Sequence, residues 1–252
     1  MVLWLLGACA LRATVAPSER DRALAEVDAA WAVRAEPGNL DAAMDRLLQA
    51  LALDPADPAV LARLARSEWT RAYLEPGAAH FEIAQDYGYR CLLGWAPFAS
   101  RADAGGYLVS PETAKELPAE AAECLTWTVA AGLGQVELRG SGGALELEAL
   151  AALIGRLADL DPADAPGFAD WAQAKLLLLQ GSPDTQEVRR LLGAAIGDAP
   201  GVLLFRVELA DALPDARNVA LEGFEPPAPD PWALENTAWR ARLSPRSEPS
   251  AR

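Results

Sequence analysis

The chain's one histidine, His80, lies just beyond the turn Glu75-Pro76-Gly77. A zinc site needs three or four converging nitrogen, sulfur or oxygen ligands, and His80 has no Cys or His neighbour in sequence, so it reads as a surface or capping residue. The three cysteines, Cys9, Cys91 and Cys124, show no C-x-x-C spacing and are too few for a disulfide framework. Cys91 and Cys124 fall inside helical patterns and read as small buried hydrophobes, with a bridge between them as the alternative in an oxidising compartment. Glu112, Glu116, Glu120 and Glu123 recur at three- and four-residue steps. Paired glutamates hold two metals in a helical bundle only with Glu-x-x-His partners; these are absent, and the series reads as a solvated helix face. No G-x-S-x-G occurs, and Gly140-Ser141-Gly142-Gly143 lacks the Lys-Ser/Thr ending of a phosphate loop. The residue types therefore predict a protein that is not an enzyme and carries no cofactor or metal.

The aromatic residues are the better lead. Trp31, Trp69, Tyr73, Trp95, Trp127 and Trp171 take apolar positions in helical patterns. Core packing is their ordinary role. Stacked helix pairs also use a concave surface for binding, and Trp69, Tyr73 and Trp127 are the expected lining of such a ligand or partner groove.

The N-terminus carries the other chemical signal. Val2-Leu3-Trp4-Leu5-Leu6-Gly7-Ala8 leads to Cys9. Leu6-Gly7-Ala8-Cys9 resembles the bacterial lipobox, in which small residues let a signal peptidase approach the backbone just before the cysteine that receives diacylglycerol. The apolar run is short and has no Lys or Arg ahead of it, unlike a full signal peptide; the alternative is an ordinary apolar first helix. The lipobox reading divides the chain into a signal peptide (1–8), a lipidated tether (9–17), a helical-repeat domain (18–221) and a Pro-rich C-terminal tail (222–252). Diacylglycerol plus an N-acyl chain exceeds the two-signal threshold for stable anchoring.

The elements that must position these residues are helical. Ser18 with Asp21 three residues on has the form of a capping box, and the helix it starts runs to about Ala35. Asn39 is expected to cap a second helix with Leu40, Ala43, Met44, Leu47, Ala50 and Leu51 on one face. Asp57-Pro58 starts a third, with Asp as cap and Pro at the first helical position. Further helices are predicted over 79–95, 117–139, 144–160, 166–180, 184–197 and 201–212, and a break over 96–117 holds at most a short helix at 111–116. The run Glu225-Pro226-Pro227-Ala228-Pro229-Asp230-Pro231 excludes helix there. No strand pattern occurs. About nine helices in antiparallel pairs result. The segment Leu51–Pro58 is echoed at Leu157–Pro166 and more faintly at Ile196–Gly201, and fixed punctuation between helix pairs marks a stacked array.

Composition agrees. Of the 252 residues, 52% are apolar, dominated by the helix formers Ala and Leu, so a sizeable core forms and global disorder is excluded. The formal net charge of -14 repels phosphate backbones and anionic headgroups. Nucleic acid is not expected as a partner, and membrane attachment must come from the lipid.

Residues 39–55 resemble the second helix of a tetratricopeptide repeat through Ala43, Ala50-Leu51 and Asp54-Pro55. Three features together resemble the T-component family of TRAP transporters, the TatT-like lipoproteins. They are the lipobox; the stretches Trp31–Arg34, Asn39-Leu40, Ala50–Pro55 and Ala62–Arg66; and Leu125-Thr126-Trp127 running to Gly132-Leu133-Gly134, where Thr126 stands at a position the family fills with Tyr. The resemblance implies an all-α, tetratricopeptide-like helical-hairpin solenoid in the periplasm, commonly trimeric. It implies docking of an extracytoplasmic substrate-binding protein of a TRAP transporter and handling of small hydrophobic ligands. An outer-membrane assembly or pilus-biogenesis lipoprotein of helical repeats is the alternative, and a cytosolic repeat adaptor a third. Ala10 after Cys9, in place of Asp, favours the outer membrane. Radiolabelled palmitate is expected to label the wild-type chain in cells and to be absent from Cys9→Ala; equal labelling of the two would remove the lipid anchor.

Overall fold

Free N–H groups in the first turn of a helix need acceptors, and short side chains supply them. A computed structural model of the protein describes residues 18–75, 78–105, 109–140, 143–181, 184–213 and 224–243; Cys9 and the tether lie outside them. Ser18 Oγ accepts from Asp21 N at 3.1 Å while Asp21 accepts from Ser18 N at 3.1 Å, the expected capping box. It opens α1 (Glu19–Ala32), and α2 (Asn39–Leu53) follows. Asn39 is not a cap: Gly38 holds that position in a left-handed conformation, and the Asn39 amide donates back to Val33 O and Glu36. Asp57 caps α3 (Pro58–Leu74) by accepting from Ala59 N and Val60 N. The chain continues through α4 (Ala78–Leu92), α5 (Ala96–Ala104), the short α6 (Pro111–Ala114) and a 3-10 turn (Ala119–Ala121). It then forms α7 (Ala122–Arg139), α8 (Ala144–Leu160), α9 (Phe168–Leu179), α10 (Thr185–Asp198), α11 (Leu203–Ala212) and α12 (Ala233–Leu243). Among the described residues there is no strand, and no helix is long and apolar enough to cross a membrane.

The fold is all-α and multi-helical. Sequence neighbours are largely spatial neighbours: α1 packs on α2, α2 on α3, α3 on α4, α7 on α8, α8 on α9, α9 on α10 and α10 on α11. The central element is α7, which touches α3, α4, α8 and α9. From Cys124 to Leu133 every residue of α7 is buried, the pattern of a helix surrounded by protein. Close approach of α4 depends on missing side chains. A Cβ at Gly88 would lie 3.0 Å from the Thr128 backbone, and one at Gly134 would run into the Phe81 ring. The same helix pair carries a correction: Cys91 and Cys124, read as separate buried hydrophobes, form a disulfide with their Cα atoms 5.8 Å apart. The bridge, the alternative left open by the sequence, is the arrangement realised, because the α4–α7 packing brings the two residues face to face.

Two helices fall where the sequence indicated none. Pro97 and Gly105-Gly106 suggested a break, but Pro97 occupies the first turn of α5, where its missing N–H costs little, and Phe98 and Ala102 turn one face into the core. The Pro-rich tail assigned to 222–252 contains α12. Asp230 accepts from Trp232 N at 2.8 Å in the turn ahead of α12, and the run Glu225–Pro231 itself stays outside the helix, as its prolines indicate. Helix α12 folds back on α3 and α11.

The later helices are joined by a buried charge cluster. Lys175 of α9, 6% exposed, lies 2.9 Å from Glu208 of α11 and 2.7 Å from Glu137 of α7. Burial alone would lower the lysine pKa; attraction and hydrogen bonds from Glu208 and Glu137 outweigh it, and the net shift is upward. A lysine raised on folding contributes stability that is fully present below its unfolded pKa and is lost as pH rises through the folded one. Lys175→Met takes the cation from two acidic side chains, and breaking a buried pair in this way costs about 3–5 kcal/mol. Urea denaturation near neutral pH is expected to show that loss. Wild-type stability should fall at pH above the ordinary lysine range, with the Lys175 share of that fall absent from the variant.

Candidate functional site

Trp69 and Tyr73 are one turn apart on α3, and Trp127 faces them from α7. The structure does bring the three together: the Trp69 ring centroid lies 5.2 Å from Tyr73 and 5.3 Å from Trp127. They do not form an open groove. Trp69 is 0% and Trp127 2% exposed, and only Tyr73 is partly exposed. Around Trp69 stand Phe168 at 6.5 Å, Trp171 at 6.4 Å and Trp239 at 5.6 Å, all edge-on. Edge-to-face aromatic packing is worth more than its buried area alone, so this cluster is first an anchor of the core.

Trp127 lines a cavity of about 110 Å³, together with Arg66, Glu123, Thr126, Pro162 and Asp164. The Arg66 guanidinium sits 5.0 Å from the Trp127 ring and 4.4 Å from Trp232, close enough for cation–π attraction. Its Nε donates to Glu235 at 2.5 Å. Arg34 lies 4.3 Å from the Trp31 ring and 3.8 Å from Glu235. Burial lowers the Arg34 pKa, with Glu235 acting against it.

The space best suited to an apolar ligand lies elsewhere. A pocket of about 300 Å³ between α4 and α5 is lined by Tyr89, Leu93, Phe98, Ala102 and Val109. That volume is at the small end for ligand pockets, and an apolar wall with one convergent polar group is their usual chemistry. Tyr89 supplies the polar group; burial raises the pKa of its phenol, with Glu146 adding to the shift, so it stays a neutral hydroxyl at physiological pH. The pocket escaped sequence reading because α5 did. Phe98 and Ala102, four apart behind a Pro in the first turn, were the available signal. A larger cleft of about 540 Å³ between α6 and α8 has Lys115, Glu148, Arg156 and Asp159 on its walls and is more polar in character.

His80 is not a plain surface residue. Its Nδ1 lies 2.7 Å from Glu68, a buried carboxylate of α3, and its Nε2 3.8 Å from Glu75. Only the α3–α4 hairpin makes the first of these contacts. Among the described residues no group of three or more His, Cys, Asp or Glu side chains is placed to hold a metal. Glu112, Glu120 and Glu123 are exposed, while Glu116 pairs with Arg101 at 2.6 Å.

A solvent-sensitive apolar dye titrated into the protein should brighten on entering the α4–α5 pocket. Leu93→Trp, which fills the pocket from its partly exposed wall, is expected to weaken that binding at least about tenfold, or about 1.4 kcal/mol; unchanged binding would place the dye outside the pocket. In comparison with known proteins, no family model and no curated protein matches the chain.

Proposed function

We propose that the protein is a lipid-anchored periplasmic scaffold of helical hairpins, built as a tetratricopeptide-like solenoid, that docks a TRAP-type substrate-binding protein and handles small hydrophobic ligands without catalysing a reaction. The observation that carries the proposal is the consecutive packing of all-helical neighbours around α7, the helix holding Leu125-Thr126-Trp127 and Gly132-Leu133-Gly134. Trp127 and Gly134 have structural work there: the indole joins the aromatic core, and the glycine admits Phe81. The apolar α4–α5 pocket fits the ligand part of the proposal in size and lining. The Cys91–Cys124 disulfide fits an oxidising compartment, and the lipobox at Cys9 supplies the tether.

The same fold would serve an outer-membrane assembly or pilus-biogenesis lipoprotein, and the partner separates the two. Membranes bearing the tagged full-length chain are solubilised, and co-purifying proteins are identified by mass spectrometry. Recovery of an extracytoplasmic substrate-binding protein is the expected result. Recovery of outer-membrane barrel or pilus components in its place would move the function to assembly.

A further inference from the structure

Helix α12 lies across the molecule like a bound ligand. Its sequence neighbours end at α11, yet it reaches back to α3 and is in contact with both. Two indoles seven residues apart face inwards. Trp232 stacks on Phe168 of α9 at 5.3 Å and meets Trp127 of α7 at 6.1 Å, while Trp239 meets Trp69 of α3 at 5.6 Å. Between them, Glu235 accepts from Arg66 at 2.5 Å. Asn236 accepts from Leu203 N at 2.9 Å and donates to Gly201 O at 2.9 Å. Val202 gives α11 no side-chain cap, so an amide from α12 satisfies the first turn of α11. Anchors at i, i+3, i+4 and i+7 are the signature of a helix held in a groove.

The seam keeps polar atoms unpaired: the second Glu235 oxygen and the indole N–H groups of Trp69 and Trp239 are buried there without hydrogen-bond partners, as are Ser67 Oγ and the Trp171 indole N–H elsewhere in the interior. The stretch that leads into α12, residues 225–229, is exposed and has no regular secondary structure.

We infer that the face made by α3, α7, α9 and α11 is a receptor for an amphipathic helix with aromatic side chains seven residues apart and a carboxylate and an amide between them. Helix α12 fills it in cis until a partner's helix of the same chemistry displaces it. The receptor side supplies Arg66 for the carboxylate, the Leu203 N–H and Gly201 carbonyl for the amide, and the rings of Trp69, Trp127 and Phe168 for the anchors. The groove is independent of the lipid anchor and of the partner assigned above.

The probe is a labelled synthetic peptide of residues 230–243, titrated into the full chain and into Glu235→Gln. That variant weakens the cis helix and leaves Arg66 free to pair with the peptide's own glutamate. A competitor held in cis lowers apparent affinity by the fraction of open receptor, so the variant is expected to bind the peptide at least about tenfold tighter than wild type. A peptide with Trp239→Ala should bind neither. Equal binding of the peptide to both proteins, or none, would overturn the inference. Saturable peptide binding replaced by exchange of α12 between two copies would also overturn it, because the occupant would then be a second copy. Hydrogen exchange on the wild-type chain decides the matter if the variant fails to fold. Amides of 233–243 should exchange at least about 100-fold faster than those of α3 and α7, through opening of α12 alone. Exchange of α12 only with global unfolding would make it an integral core helix and end the proposal.

Discussion

Helix α7 has almost no face that meets water, and the other helices are arranged by that fact. A helix buried on all sides must be covered on all sides, and α3, α4, α8 and α9 do so. Coverage by α4 requires the two backbones to approach more closely than side chains allow, and Gly88 and Gly134 make this feasible. The Cys91–Cys124 bridge then lies on the same contact. Coverage by α3 brings Trp69 against Trp127, and from that pair the aromatic cluster extends to α9 and α12. The interior is thus continuous from the first hairpin to the last helix, in keeping with one core cluster that runs from Val27 to Trp239.

The helices were legible wherever the apolar period and a short capping residue agreed. Ser18 with Asp21 and Asp57 with Pro58 worked as read, since those contacts are local and a few residues of sequence contain both partners. Reading stopped where proline had two meanings. Pro97 suggests a break, yet it stands in the first turn of α5, where the ring lacks only a hydrogen bond that would not form anyway; the run Glu225–Pro231 is non-helical as expected, and the helix missed is the one that follows it. What failed altogether was long-range pairing. Glu68 for His80 and Glu208 for Lys175 are each set by how hairpins stack, and no spacing rule carries that information; Cys124 for Cys91 was open only as an alternative.

The candidate site shows the same division. Trp69, Tyr73 and Trp127 do meet, but in the core packing that is the ordinary role of such residues and not as the lining of an open groove. What the sequence did not show is that Trp232 and Trp239, in and beside α12, join that cluster. The pocket bordered by Tyr89 and Phe98 likewise depends on α5. Both differences come from helices in or just after proline-containing segments.

An interior made largely of alanine and leucine packs nearly as well after a one-turn slip of one helix on another, since such side chains repeat with the helix and volume-conserving exchanges cost little. Buried charges remove that degeneracy. Shifting α9 along α11 would carry Lys175 away from Glu208 and break a buried ion pair, a penalty of several kcal/mol. Shifting α12 along α3 would separate Glu235 from Arg66 and Asn236 from the first turn of α11. These contacts therefore select one register out of several that the apolar side chains alone would accept. The two sets do so differently. Lys175 reaches two carboxylates from two helices, whereas at α12 one carboxylate oxygen and two indole N–H groups stay unpaired. The first arrangement ties three helices through one cation, and the second ties α12 to α3 and to the start of α11.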